Sequence, residues 1–231
     1  MGGLKHRTNL GNIKASGGKF YGKTRHEGKF YVVGSMTAQG FHYSPCIVSI
    51  NTDGSPDTSF SVGSGFNASL VTMALQSDGK VLVAGNFTSY NGTTTNRIAR
   101  LNTDGSLDTS FSTGSGLDYS PYRVTVQSDG KVLAVGWFSS YNGTSTNCIA
   151  RLNTDGSLDT SFSIGSGFNS LVYKAFQSDG KILVAGGFTS YNGNSTYNIA
   201  KLNIDGSFVT DSPEQFPYDT INSSCAGILL E

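Results

Sequence analysis

Apolar residues in this chain come in short runs, and the runs recur. The stretch LVTMALQ (70–76) is mostly apolar and stops at the Ser-Asp-Gly triplet 77–79. VLVAGNF (81–87) follows as the most apolar segment. Nearly unbroken hydrophobicity over so short a run predicts a strand covered on both faces. The polar stretch TSYNGTTTN (88–96) predicts a turn-rich loop. RIARLN (97–102) alternates, which predicts a strand with one wetter face. Thr103-Asp104-Gly105-Ser106 predicts a tight turn, because glycine takes positive φ without steric penalty. LDTSF (107–111) predicts a short fourth strand. No stretch sustains a 3.6-residue apolar period, and Gly and β-branched residues interrupt every helical candidate. The fold class is all-β.

The whole series of elements repeats. QSDGKVLVAGNF (76–87) returns as QSDGKVLAVGWF (127–138) and as QSDGKILVAGGF (177–188), a spacing of 51 and then 50 residues. HEGKFYVVGSM (26–36) is a more diverged copy. CIVSIN (46–51), RIARLN, CIARLN (148–153) and NIAKLN (198–203) keep the same step. So does the decapeptide NTDGSLDTSF at 102–111 and 153–162, with NTDGSPDTSF at 51–60. Four units, at about 19–60, 70–111, 121–162 and 171–212, each predicted to carry four strands, make a four-bladed β-propeller. A β-solenoid is the alternative, although solenoid coils are shorter and lack three hairpin turns each. Residues 1–18 and 213–231 match no unit. They are expected either to pair as a partial fifth blade or to contact a partner, a second copy of the chain included.

The unit IARLNTDGSLDTSF…GSGF…QSDGKILVAG followed by FTSYNG resembles the delta-60 repeat, a β-propeller family of bacteria and their phages. The resemblance is strong over 46–203 and weaker over 19–45. It implies a propeller scaffold and brings no established catalytic residues. The end units depart from the pattern: His26-Glu27-Gly28-Lys29 replaces Ser-Asp-Gly-Lys, AQGFHYSP (38–45) replaces the Tyr-Asn-Gly loop, and unit four ends in FVTDS (208–212). End units of a repeat array are commonly atypical because they cap it or meet each other.

Charge narrows the partners. Sixteen basic and sixteen acidic residues cancel, and only 14% of residues are charged, so neither nucleic acid nor an anionic membrane surface is an expected partner. No apolar run approaches the ~20 residues of a spanning helix. The N-terminal MGGLKHRTNLGNIKAS lacks an apolar core of the secretory kind. The expected location is therefore a virion assembled in a host cytoplasm; the alternatives are the bacterial cytoplasm, or the exterior by a route other than the secretory one. Cys46 and Cys148 hold equivalent positions in alternate units, too far apart for the ~4.4–6.8 Å Cα spacing of a disulfide; Cys225 lies near the C-terminal end. His6, His26 and His42 show no metal-ligand spacing.

Two motifs invite chemistry. The FTSYNG loop places Tyr90 and Asn91, Tyr141 and Asn142, and Tyr191 and Asn192 at the same rim position of successive units. Such pairs could bind sugars by ring stacking plus amide hydrogen bonds, one weak site per blade. Alternatively, Asn-Gly makes the turn while the aromatic rings pack between blades. Asp53, Asp104 and Asp155 stand among alternating oxygen-bearing residues that suggest a calcium loop. Glycine sits at the fourth position rather than the sixth, however, and the distal Glu is missing, so a hairpin turn bonded to nearby amides is the stronger reading. There is no GxSxG and no phosphate loop, and no cofactor is expected. The expected function is a non-catalytic structural or adhesive propeller, a phage tail or fibre component contacting other virion or surface proteins. The alternative is a carbohydrate-binding propeller of lectin type.

Overall fold

The computed structural model describes residues 19–26, 28–36 and 44–210. The unmatched ends 1–18 and 213–231, and most of the 38–45 loop, lie outside these residues. Among the described residues, four three-stranded antiparallel sheets follow one another along the chain. Unit one contributes Lys19–His26, Lys29–Met36 and Ser44–Ile50; unit two Leu70–Leu75, Val81–Gly85 and Ile98–Leu101. Unit three contributes Pro121–Val126, Val132–Gly136 and Ile149–Leu152; unit four Val172–Ser178, Lys181–Gly186 and Ile199–Asn203. The second strand is central in every sheet. The first strands pack on each other in chain order, unit one on two, two on three, three on four. They form the inner edge around which the sheets fan, which is how propeller blades are arranged.

Each gap between blades holds its own apolar core. Tyr31, Val33 and Ile47 of unit one meet Phe66, Val83 and Phe87 of unit two. Leu82, Ala84 and Ile98 then meet Leu117, Val132 and Phe138 of unit three. Leu133, Val135 and Ile149 meet Phe168, Ile182 and Phe188 of unit four. Side chains of a strand alternate between its two faces, and in an inner blade both faces are covered. That is why the central strand is apolar at every position: Val81, Leu82, Val83 and Ala84 are each fully buried.

Polar bonds stitch the same gaps. Ser61, Ser112 and Ser163 donate their backbone N–H to Asp104, Asp155 and Asp205 carbonyls of the following unit, at 2.8, 2.8 and 2.7 Å. Asn96 Nδ2 donates to Ser115 O at 3.0 Å and Asn147 Nδ2 to Ser166 O at 2.8 Å. Arg100 and Arg151 reach across to the Thr154 and Ile204 carbonyls.

Three local expectations change. RIARLN does not keep a wet face; Ile98–Leu101 is buried throughout, with Arg100 only 6% exposed. The guanidinium is admitted because Nε donates to Asp108 Oδ2 at 2.7 Å and the group lies 4.7 Å over the Phe111 ring. LDTSF is a strand for one residue only, the bridge Leu101↔Leu107. Past it, Asp108 Oδ1 accepts from Ser110 N at 3.0 Å and Ser110 Oγ at 2.6 Å, which curls the chain into a turn. The shorter spacing to unit four arises in its first hairpin. Asp179 and Gly180, at φ 51° and 69°, make a two-residue turn between Ser178 and Lys181, where unit three closes a longer turn from Gln127 N to Lys131 O at 2.8 Å. Cys148 is a free, buried thiol, unbonded to Cys46. Burial and the Asp118 charge push it up to about 11, so it stays protonated and inert.

Candidate functional site

The rim loops fold into two-residue hairpins: Ser89–Tyr90 with Thr93–Thr94, Ser140–Tyr141 with Thr144–Ser145, and Ser190–Tyr191 with Asn194–Ser195. Asn91 and Gly92 turn the first of them at φ 48° and 76°, the pattern that makes Asn-Gly the strongest short hairpin signal. The three tyrosines point inward and are buried. Tyr90 Oη donates to Gly105 O at 2.5 Å, Tyr191 Oη to Gly206 O at 2.6 Å, and Tyr141 Oη to Gly156 O. The Tyr90 ring lies 4.5 Å from Phe66, and Tyr191 4.5 Å from Phe168. Burial, reinforced by the Asp104 charge, pushes the Tyr90 hydroxyl up to about 12; Tyr141 and Tyr191 are raised in the same way.

The neighbouring asparagines are engaged as well. Asn91 Oδ1 accepts from Gly65 N at 2.9 Å, Asn142 Oδ1 from Ser115 N at 3.0 Å, and Asn192 Oδ1 from Ser166 N at 3.1 Å. Of the six residues expected as a glycan site, the three tyrosines pack inside as the alternative reading has it, and the three asparagines are exposed. The rings have no free face to stack on a sugar, and the amides brace the Gly-Ser-Gly loops.

Asp53, Asp104 and Asp155 sit in side-chain-bonded turns. Each Oδ1 accepts from the backbone N–H two residues on at 2.9 Å and from that serine's hydroxyl at 2.6–2.7 Å. These serine bonds hold all three carboxyls below their usual range. A second aspartate set is buried: Asp57, Asp108 and Asp159. Asp108 pairs with Lys80 at 2.8 Å and Arg100 at 2.7 Å, and Asp159 with Lys131 at 2.8 Å and Arg151 at 2.6 Å. Burial opposes their ionisation, but the Lys, Ser and Arg bonds outweigh it and hold both carboxyls well below the usual carboxylate range.

Chemistry is presented elsewhere, where the first and second strands meet. Gly85, Gly136 and Gly186 end the central strands. A Cβ at Gly85 would stand 2.1 Å from Ser69 O, one at Gly136 2.8 Å from Pro121 Cα, and one at Gly186 2.3 Å from Leu171 O. That approach is possible only for glycine, and the register slips beside it. The ladder steps from Leu70 to Thr72, from Pro121 to Arg123 and from Val172 to Lys174. The residue left out of each ladder is Val71, Tyr122 and Tyr173, and bulges of this kind re-aim a side chain.

In units three and four the re-aimed residue is an exposed tyrosine, Tyr122 at 39% and Tyr173 at 48%. The two rings stack across the blade gap with centroids 6.0 Å apart and planes 26° apart. Trp137 follows Gly136 and is 50% exposed. Its counterpart in unit four is Gly187, where a Cβ would lie 3.9 Å from Tyr173 Oη. Tyr119, 54% exposed, lies just before the bulge, with the Arg97 guanidinium 6.0 Å from its ring centre. Arg123 and Lys174 come next after the two bulge tyrosines, Arg123 stacked 5.6 Å from the Phe176 ring. Among the described residues, the carboxylate in the loops at this end is Asp118, which accepts from Ser139 and Ser140 backbone N–H groups at 3.0 Å each. This mouth was missed from sequence, yet a signal existed. Between near-identical units it reads Val, Tyr, Tyr at the bulge, Thr, Arg, Lys after it, and Asn, Trp, Gly after the glycine.

The sequence pattern of a family described as "Domain of unknown function (DUF5122) beta-propeller" matches residues 28–60, 76–111, 127–162 and 177–208. The chain belongs to this family. The four matched DUF5122 segments cover the second and third strands and the outer turns. They leave the bulge tyrosines, in the first strands between them, outside the shared pattern. Among solved structures, the DUF5122 chain is similar to an alpha-L-arabinofuranosidase from Clostridium thermocellum ATCC 27405, at 15% identity and a TM-score of 0.41 over 81% of this chain and 68% of that one. No curated protein matches it.

Proposed function

We propose that this propeller is a non-catalytic adhesive module that holds a surface polysaccharide at its aromatic mouth. The observation that carries the reading is the stacked, exposed Tyr122–Tyr173 pair on adjacent bulges. Exposed aromatic faces cover the apolar C–H faces of sugar rings, and tyrosine adds a polar edge for their hydroxyls. Arg123 and Lys174 beside the pair favour saccharides bearing carboxylates. The non-catalytic part is supported by the composition of the mouth, which is aromatic and cationic, with Asp118 held by Ser139 and Ser140. The setting we propose is a phage tail or fibre built from delta-60 units, in line with the resemblance of the repeats and the low charge of the chain. Weak single contacts suit it, because many copies on one particle raise avidity without any new contact.

Affinity electrophoresis through gels of uronic-acid-containing and neutral polysaccharides tests the reading. The wild-type chain is expected to be retarded by the acidic polymer, and the Tyr122→Ala/Tyr173→Ala double variant to migrate freely. Equal retardation of the two proteins, or none of the wild type in any acidic polymer, would overturn it. Proteomics of purified phage particles tests the setting separately.

A further inference from the structure

Unit four carries on its forward side the same kind of face that the earlier units bury, but leaves it open. Leu82 and Leu133 are 0% and 2% exposed beneath the following blade, whereas their counterpart Leu183 is 40% exposed. Leu183 pairs across the sheet with Phe176 and Lys201, and Ile199 shares the face. Lys201 is exposed where Arg100 and Arg151 are buried.

Four residues that would bind another repeat on this face have been replaced. Asn96 and Asn147, which donate to the next unit, become Tyr197; Arg100 and Arg151, which do the same, become Lys201. Asp108 and Asp159, which hold those arginines, become Val209. Ser61, Ser112 and Ser163, whose N–H groups bond the next unit's turn, become Pro213, and proline has no N–H to give. These four changes remove the stitches named above and leave the apolar surface in place. The face is built for an occupant of another kind.

We infer that residues 211–231 of the same chain cover this face in place of a fifth repeat. In each of the three preceding gaps, the forward face is covered by the chain that immediately follows it: Phe66, Leu117 and Phe168 lie a few residues past each outer turn and enter the shared core. Residues 211–231 leave unit four at the same point. They carry Phe216, Tyr218 and Ile221, then the run Ile228-Leu229-Leu230, enough for a link and a single covering strand. The inference stands apart from the polysaccharide reading, since this face is on the flank of the blade and not at the mouth.

Thiol labelling of the full chain tests it. Leu183→Cys is placed in a background of Cys46→Ser, Cys148→Ala and Cys225→Ser, with Ile204→Cys, exposed but off the face, as the fast-reacting reference. Leu183→Cys is expected to label slowly at any protein concentration. It should gain roughly tenfold in rate when Ile228, Leu229 and Leu230 are changed to Asp, because local opening then governs access. Fast labelling with the tail intact, or slow labelling that survives the tail changes, overturns the inference. Protection lost on dilution also overturns it, since that would mean a second copy covers the face. Ile199→Cys provides a second reporter should the Leu183 variant fail to fold.

Discussion

The rim hairpins and the mouth lie at the same end of the blades and differ in what repetition has done to them. At the rim, units two, three and four carry the same Tyr-Asn-Gly, each tyrosine hydroxyl bonds a turn carbonyl, and each asparagine Oδ1 accepts from the frame. At the mouth, one shared device, a glycine that lets the inner strand bulge, carries a set that changes between units: Val71, Tyr122 and Tyr173 at the bulge, Thr72, Arg123 and Lys174 after it, and Asn86, Trp137 and Gly187 after the glycine. A repeated residue is under the demands of architecture, which are the same in every blade. A residue that varies on an otherwise constant frame is free of those demands and can serve a ligand. Sequence reasoning offered the repeated motif both as a sugar site and as a turn with packed rings, and the structure shows its tyrosines packed.

The strongest way to break the comparison is pH, which acts on the buried groups of the frame. Tyr90 holds its proton to about 12 in the fold, while an unfolded tyrosine releases it near 10. A raised folded value means that the contribution is complete below pH ~10 and is lost as pH climbs toward the folded value. Tyr141 and Tyr191 act in the same direction. For Asp108 and Asp159 the folded value is depressed, so their contribution is present above the unfolded value of ~3.9 and fades as pH falls below it. Circular dichroism against pH is expected to show a plateau between about 5 and 9, with cooperative loss of the fold on both sides. A fold indifferent to pH 11–12 would show that the rim tyrosines are not frame.

Next in size is Tyr141→Ala. Removing a buried ring that fills the gap between blades and bonds Gly156 O is expected to cost about 3–5 kcal/mol, read as a lower urea midpoint. A change under about 1 kcal/mol would mean that the rim ring is as dispensable as an exposed one.

How far the sequence could be read follows from the same contrast. The strands, the Asp-Gly and Asn-Gly turns and the four units were legible, because each depends on local chemistry written several times over. The buried state of Arg100 was not, since alternation says which face a side chain takes and not whether a neighbouring blade covers that face. LDTSF looked like a strand because the turn that curls it depends on where the Asp108 carboxylate points. Tyr122 and Tyr173 were hidden for a different reason. Their exposure depends on a one-residue register slip against Gly136 and Gly186, and a slip leaves no mark in hydrophobic pattern. The mark it does leave is the invariant glycine followed by a variable residue, visible only once the units are compared for their differences.

The finest test separates frame from mouth by what does not change. Tyr122→Ala and Tyr173→Ala each remove an exposed ring that touches its partner at the stacking distance and fills no core. Each is expected to shift unfolding free energy by no more than about 0.5 kcal/mol, the usual range for surface positions. A double-mutant cycle in urea should find a coupling of about 1 kcal/mol or less, the scale of an aromatic pair. Polysaccharide retention should fall in the same variants. If either single change cost as much as Tyr141→Ala, the stacked pair would be part of the seam between units three and four. The glycines would then bulge the inner strand to close that seam, and the difference between rim and mouth would be one of exposure alone.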